Sequence, residues 1–215
     1  MRQKDFPTTP QGWTEDLKRL RKPTDRAQCL KRCAKRLGIE VKALAEIGVF
    51  EGQLSLLLRQ NWPNAQLYLI DPWRHIPDLT KLVGSMHRRG RTPEGNQKFW
   101  DKRFASVIRM FAADVHTHIM RKTSAEAVDS IPDGSLDLIH IDGDHRYQPV
   151  CDDIKMWLPK VRSGGLVTGH DYKASRQQWT GNRALLYQVF TAVNDTLGQE
   201  NIIPCRQMLW MYIKP

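Results

Sequence analysis

The sequence predicts a doubly wound α/β fold, a largely parallel sheet with helices on both faces. Three observations predict it. Short apolar runs alternate with amphipathic stretches along most of the chain. The runs end in polar or glycine-bearing turns, where such sheets present their ligands. The chain has 215 residues, 40% hydrophobic and 26% charged, which suits one domain with its own core. That composition excludes a wholly disordered chain and collagen-like or mucin-like tracts.

The elements follow in order. Residues 1–23 are polar and proline-bearing and read as an arm. From Pro23, PTDRAQCLKRCAKRLGI has helical spacing, with Thr24 or Asp25 to cap it and Gly38 to end it. Lys42–Val49 is a short apolar run, a buried-strand signal. Glu51–Gln60 carries Leu54, Leu57 and Leu58 at helical spacing, and Asn61–Asn64 reads as a turn. Ala65–Ile70 is a second strand. Arg74–Gly95 is irregular and basic, an insertion over a functional face. Asn96–Ala113 returns to helical period, and His116–Thr123 reads as a third strand. Ala125–Ser130 is a short helix, and Ser135–Ile141 is the clearest strand in the chain. Tyr147–Val161 is an amphipathic helix, Gly165–Thr168 a strand, Arg183–Gly198 a helix and Cys205–Ile213 a final strand. Residues 1–38 thus form an N-terminal arm and helix, a lid or cap. Residues 39–215 form the main domain, with an insertion at about 74–95.

Charge and cysteines narrow the class. The chain carries 33 Lys+Arg against 23 Asp+Glu, net +10. Lys18–Arg36 and His87–Arg91 concentrate the positive charge, which suits nucleic acid, an anionic surface or an acidic substrate. No apolar run approaches the roughly 18 residues of a membrane span, so no membrane partner is expected. The N-terminal stretch lacks the apolar core of a signal peptide, so the expected location is cytoplasmic. There Cys29, Cys33, Cys151 and Cys205 are expected as free thiols. Cys29 and Cys33 lie four apart, but no second Cys/His pair has zinc-site spacing, so they read as small buried hydrophobes.

The residues after each strand carry the chemistry. After the first come Glu46, Gly48, Val49, Phe50 and Gly52; the glycines let the backbone turn sharply, while the acid suits a cationic ligand better than a diphosphate. After the second comes Asp71-Pro72-Trp73. An acid there accepts ribose hydroxyls, or simply closes a turn before Pro72. Trp73 packs on a base or in the core. After the third lie Ser124, which can cap the next helix, and Ala125. After the fourth come Asp142-Gly143-Asp144-His145, and after the fifth Gly169-His170-Asp171-Tyr172. Asp142 and Asp171 are the expected ligands of a hard cation such as Mg2+, with His170 a further candidate ligand. His145 is the candidate base, because an imidazole titrates near neutral pH. The competing reading makes these residues hydrogen-bonded helix caps. Asp114, His116 and His118 mimic a metal cluster but read as a solvated junction.

Glu46–Gly52, Leu69–Trp73, Leu136–Tyr147, Leu158–Gly165 and Gly169–Tyr172 together resemble class I S-adenosylmethionine-dependent methyltransferases. The similarity is to the branch with Asp-Gly-Asp-His after the fourth strand, which includes sugar and catechol-type O-methyltransferases, and it covers about residues 40–172. It implies a Rossmann-like, seven-stranded sheet with an antiparallel last strand. It implies that Glu46, Gly48 and Gly52 surround the methionine part of S-adenosylmethionine, with Val49, Phe50, Pro72 and Trp73 nearby. Asp71 falls on the ribose, Ser124 and Ala125 beside the adenine, and Asp142 at the sulfonium end. In metal-dependent relatives, acids match Asp142 and Asp171, and in some a histidine matching His145 is the base. Those relatives place a second acid where this chain has His170.

The expected function is O-methylation of a small hydroxylated, anionic acceptor, with Asp142 and His145 as catalytic residues and Mg2+ as an optional assistant. One alternative is an RNA or other nucleic-acid methyltransferase using the basic surface. Another is a non-catalytic binding module on the same fold, assembling as a homo-oligomer. An NAD-linked oxidoreductase is disfavoured, because G-x-G-x-x-G is missing.

Overall fold

The computed structural model describes residues 24–74, 93–173, 187–205 and 208–215. Seven strands form one sheet in the order β3-β2-β1-β4-β5-β7-β6. They are β1 (Ala43–Ile47), β2 (Gln66–Ile70), β3 (Thr117–Met120), β4 (Leu136–Ile141), β5 (Val161–Gly169), β6 (Ile203–Pro204) and β7 (Trp210–Ile213). β1 to β5 pair in parallel, and β7 runs antiparallel to both β5 and β6. The expected Rossmann-like doubly wound sheet with its reversed last strand is therefore present. The helices are α1 (Thr24–Arg36), α2 (Gln53–Asn61), α3 (Pro93–Met110), α4 (Ser124–Ala127), α5 (Tyr147–Trp157) and α6 (Val189–Leu197).

Two apolar layers sandwich the sheet, as its alternating side chains require. On one face, Cys29, Leu30 and Cys33 of α1 pack with Leu58, Val107 and the β1 and β2 residues facing them. On the other, Ile154 and Trp157 of α5 and Val193 of α6 cover Ile139 and Val167. Every residue of β4 is buried, which explains its apolar character, with Asp137 and His140 as its two polar members. α1 belongs to the first layer, so the helix assigned by sequence to a lid is also part of the domain core. Residues 1–23 lie outside the described residues.

Several boundaries differ from expectation for local reasons. The helix expected over Tyr147–Val161 ends at Trp157. Leu158–Lys160 form a 3-10 turn around Pro159, and β5 begins at Val161, four residues before the expected Gly165. α3 begins at Pro93, inside the expected insertion. Residues 75–92 of that insertion, with the His87–Arg91 cluster, lie outside the described residues. The tail is a hairpin rather than one strand, because β6 pairs Ile203 with Met211 of β7. Two-residue β6 leaves no periodic signal to read. Among the described residues, no helix is long and apolar enough to cross a membrane.

Candidate active site

Parallel register brings the strand ends into one row. Ile47 pairs with Ile70 and with Ile141, and Ile141 pairs with Gly169. The residues that follow, Gly48, Asp71, Asp142 and His170, therefore stand side by side at the carboxyl edge. Backbone bonds extend the ladder into this row. Gly48 N–H donates to Ile70 O (2.9 Å), Asp142 N–H to Ile47 O (2.8 Å) and His170 N–H to Ile141 O (3.3 Å).

Gly48 is fixed by that crowding. Its φ is +86°, and a Cβ there would lie 2.2 Å from the Asp142 carbonyl oxygen. The sequence suggested close approach to a ligand; the neighbouring β4 backbone already requires the glycine. Gly52, also left-handed, opens α2.

Asp71 ties the β1 and β2 loops together. Its carboxylate accepts from Phe50 N–H (3.0 Å) and Trp73 N–H (2.7 Å), while Trp73 Nε1–H donates to Phe50 O (2.8 Å). Burial raises the Asp71 pKa against the lowering effect of these amides. Both Phe50 and Trp73 have positive φ, a strain these bonds sustain. Trp73 was expected beside the cofactor, but its side chain is fully buried against Phe104 and has no exposed face. Pro72 and Val49 lie in the same pair of loops, and Val49 is buried.

Glu46 is buried beneath this edge and accepts a hydrogen bond from Ser55 Oγ–H at 2.5 Å. Burial above all, with the nearby Asp142 and Asp71 charges, pushes its pKa up to about 8. Beyond β3, the expected cap is displaced by one residue. Thr123 caps α4 in a reciprocal pair with Glu126, while Ser124 Oγ accepts from Trp157 Nε1–H (2.7 Å). Ala125 is exposed in the first turn.

The β4 and β5 ends form one ionic cluster. His145 lies between two carboxylates, with Nε2 3.2 Å from Asp142 Oδ1 and Nδ1 3.1 Å from Asp171 Oδ2. His170 Nδ1 is 3.7 Å from Asp142 and 3.6 Å from Asp171. Arg26, from α1, reaches Asp142 Oδ2 at 3.1 Å. Burial opposes the His145 charge, but the Asp142 hydrogen bond and the Asp142, Asp171 and Asp144 charges outweigh it and raise its pKa. Burial likewise opposes the Asp142 charge, yet its histidine partners hold its pKa below the carboxylate norm. Asp144 instead accepts from Arg146 N–H and pairs with the Arg146 guanidinium, so it organises the turn into α5.

Asp142, His170 and Asp171 each offer one ligand atom, all within 4.8 Å of one another. They fit a divalent cation, and the imidazole in the set suits a transition ion better than Mg2+. Asp114, His116 and His118 lie apart. Asp114 pairs with Arg59, and both histidines contact Gln66.

Two contributors escaped the sequence reading. Arg26 read as one member of a basic run, with nothing local to direct it at Asp142. His140 read as a strand residue. It is buried, with Nδ1 3.0 Å from Thr168 Oγ1, and burial drives its pKa down to about 4. Its Nε2 has no hydrogen-bond partner among the described residues.

Residues 45–172, more than half of the chain, match the model of a family described as a methyltransferase domain. The chain belongs to that family. It is a methyltransferase domain of the S-adenosylmethionine-dependent class. Two relatives are uncharacterised proteins. R132 of Acanthamoeba polyphaga mimivirus is 33% identical over 153 residues, covering 69% of this chain and 56% of that protein. Protein y4gI of Sinorhizobium fredii is 44% identical over 55 residues, covering 26% of this chain and 6% of that protein. This methyltransferase domain thus spans little more than half of the one relative and a small part of the other. Among solved structures, a Staphylococcus aureus protein assigned as a caffeoyl-CoA O-methyltransferase superposes with TM-score 0.62 at 14% identity, covering 88% of this chain and 83% of that one. A Klebsiella pneumoniae protein assigned as an O-methyltransferase gives 0.59 at 14% identity, covering 98% and 92%. At these identities the likeness shows the fold.

Proposed function

We propose that this methyltransferase domain transfers the methyl group of S-adenosylmethionine to a hydroxyl of a small, anionic acceptor, with His145 as the base. The observation that carries the reading is His145 held between Asp142 and Asp171 at the ends of β4 and β5. The sulfonium makes the methyl carbon electrophilic; the chain must align an oxygen with it and remove one proton. In the resting site both imidazole nitrogens face carboxylates, which favours the imidazolium. Arrival of the sulfonium beside Asp142 offers that carboxylate a new cation. With Asp142 paired to that cation, the His145 imidazolium would lose its Nε2 proton to solvent, and the neutral Nε2 would then take the acceptor proton while Asp171 holds Nδ1–H and fixes the tautomer.

The glycine-bearing β1 loop and buried Glu46 are suited to the cationic methionine end, and the Asp71 edge to the ribose. Ser124 and Ala125 border the adenine side. A second reading rests on the Asp142–His170–Asp171 grouping. A divalent ion held there would lower the hydroxyl pKa and orient the oxygen. Net charge +10 supports an anionic acceptor.

The test is transfer of labelled methyl from S-adenosylmethionine by the purified chain to a panel of hydroxylated acids, sugars and RNA. Wild type and His145→Gln are compared, each with chelator, Mg2+ or Mn2+. Transfer to small acceptors that His145→Gln abolishes, with cofactor binding intact, supports the reading. Transfer to RNA alone favours the nucleic-acid alternative. Cofactor binding without any transfer favours a binding module.

A further inference from the structure

Three cysteines from distant parts of the chain meet beneath α1. Cys29 and Cys33 are one helical turn apart and both 1% exposed, on the face that packs into the core. Cys205 follows β6, where its N–H donates to Leu209 O at 2.8 Å and closes the turn towards β7. The three sulfur atoms all lie within 4.8 Å of one another.

We propose that Cys29, Cys33 and Cys205 bind a soft metal ion of the Zn2+ or Cu+ class, which staples α1 to the β6–β7 hairpin. Three thiolates on one ion at about 2.3 Å stand about 3.8 Å apart, so small side-chain rotations from the present spacing complete the site. Sulfur donors without a carboxylate select soft ions over Mg2+ or Ca2+. Three sulfurs complete a trigonal Cu+ site and leave one position of a tetrahedral Zn2+ site open. A disulfide would use two of the three and strand the last.

Electrostatics agree with the geometry. Hydrogen bonds from Cys205 and Cys33 hold the Cys29 thiol far below its ordinary range, at about 4, against the effect of burial. A hydrogen bond with Cys205 lowers the Cys33 pKa, but bonding to Cys29 and burial carry it up. The Cys29 bond first of all, then the Cys33 bond and burial, raise Cys205. Arg32 and Arg36 add positive potential beside the three sulfurs. Cys151 is the contrast, a solitary buried thiol whose Sγ lies 3.8 Å from Ala192 O. The staple would also anchor the helix that carries Arg26 to Asp142, without depending on methyl transfer.

The test is elemental analysis of the full chain purified without chelator, then Co2+ addition to the metal-free protein. We expect about one equivalent of zinc or copper per chain, and a thiolate-to-cobalt charge-transfer band. Both should be lost in Cys205→Ser and kept in Cys151→Ser. Asp171→Asn should keep the band, which separates this site from the strand-end cluster. Because a cysteine variant can misfold, wild type is also melted with Zn2+ and with chelator. A higher melting temperature with Zn2+ is expected. Absence of both metal and the band overturns the proposal. So does a Cys205 disulfide to Cys29 or Cys33 in fresh protein, or unchanged metal content in Cys205→Ser.

Discussion

The β1–β2 half of the ligand edge and the β4–β5 half satisfy their buried acids in different ways. Asp71 accepts from two backbone amides, those of Phe50 and Trp73. Amides neither titrate nor leave, so that half is a fixed frame. Asp142 and Asp171 are matched by Arg26, His145 and His170, side chains that can change partners. Pairing by amides builds a cradle, whereas pairing by movable cations leaves carboxylates free to accept a substituted cation. Binding should therefore be concentrated in the first half and chemistry in the second.

The sharpest division should come from His145→Ala. We expect methyl transfer to fall about 10²- to 10⁴-fold, the usual contribution of a general base. Cofactor affinity by calorimetry should stay within a few-fold. A loss of affinity equal to the loss of rate would erase the distinction between the halves. Gly48→Ala joins the halves, since the new Cβ meets the Asp142 backbone. It should lower stability by on the order of 3 kcal/mol in chemical denaturation, with both functions impaired.

Asp71→Ala should act on the frame. It leaves two amides without their acceptor, at about 1–3 kcal/mol for each one that stays dry. Cofactor binding should weaken, and Asp71→Asn, which keeps one carbonyl oxygen, should lose less. A pH profile then probes the chemical half. The base must be neutral and its pKa is raised, so the acidic limb of kcat/KM should lie above 6.5, the ordinary histidine value. Asp142→Asn removes the chief stabiliser of the imidazolium, so the limb should move to lower pH, with reduced rate.

The last effect concerns Glu46 and is read only through pH. Its folded pKa of about 8 exceeds its ordinary 4.5, so the folded state holds an extra proton between those values. Glu46 therefore adds stability below pH 4.5, and this is lost as pH rises through 8. Glu46→Gln should flatten that slope in denaturation curves. Binding of a cationic cofactor end should release the Glu46 proton, read as buffer-dependent heat that is absent in Glu46→Gln.

The strand-end residues were legible because a parallel sheet gathers its carboxyl ends whatever the helices do. β4 announced itself as a mostly apolar strand, Leu136–Ile141, ending in Asp142-Gly143-Asp144-His145, and buried strands rarely end in such charge without a partner. The frame was less legible. That Asp71 serves two amides depends on the Phe50 and Trp73 loops folding towards each other, and Trp73 looked equally suited to a ligand or a core. Ser124 and Thr123 competed for one cap, and only the partners of each hydroxyl separated them. The β6–β7 hairpin was missed because two residues carry no period.

By itself, the sequence determined the alternation of strands and helices, the row of acids and glycines at the strand ends, and the family these imply. Those follow from local patterns of burial and turn chemistry. Tertiary structure alone decided that Arg26 faces Asp142, that His145 bridges two carboxylates, and that Cys205 joins Cys29 and Cys33. Each includes a contact between segments far apart in the chain, since Asp171 lies 26 residues beyond His145. Such contacts are set by how β4 and β5 pair and by how α1 and the last hairpin dock on the sheet, and no short-range spacing encodes that arrangement.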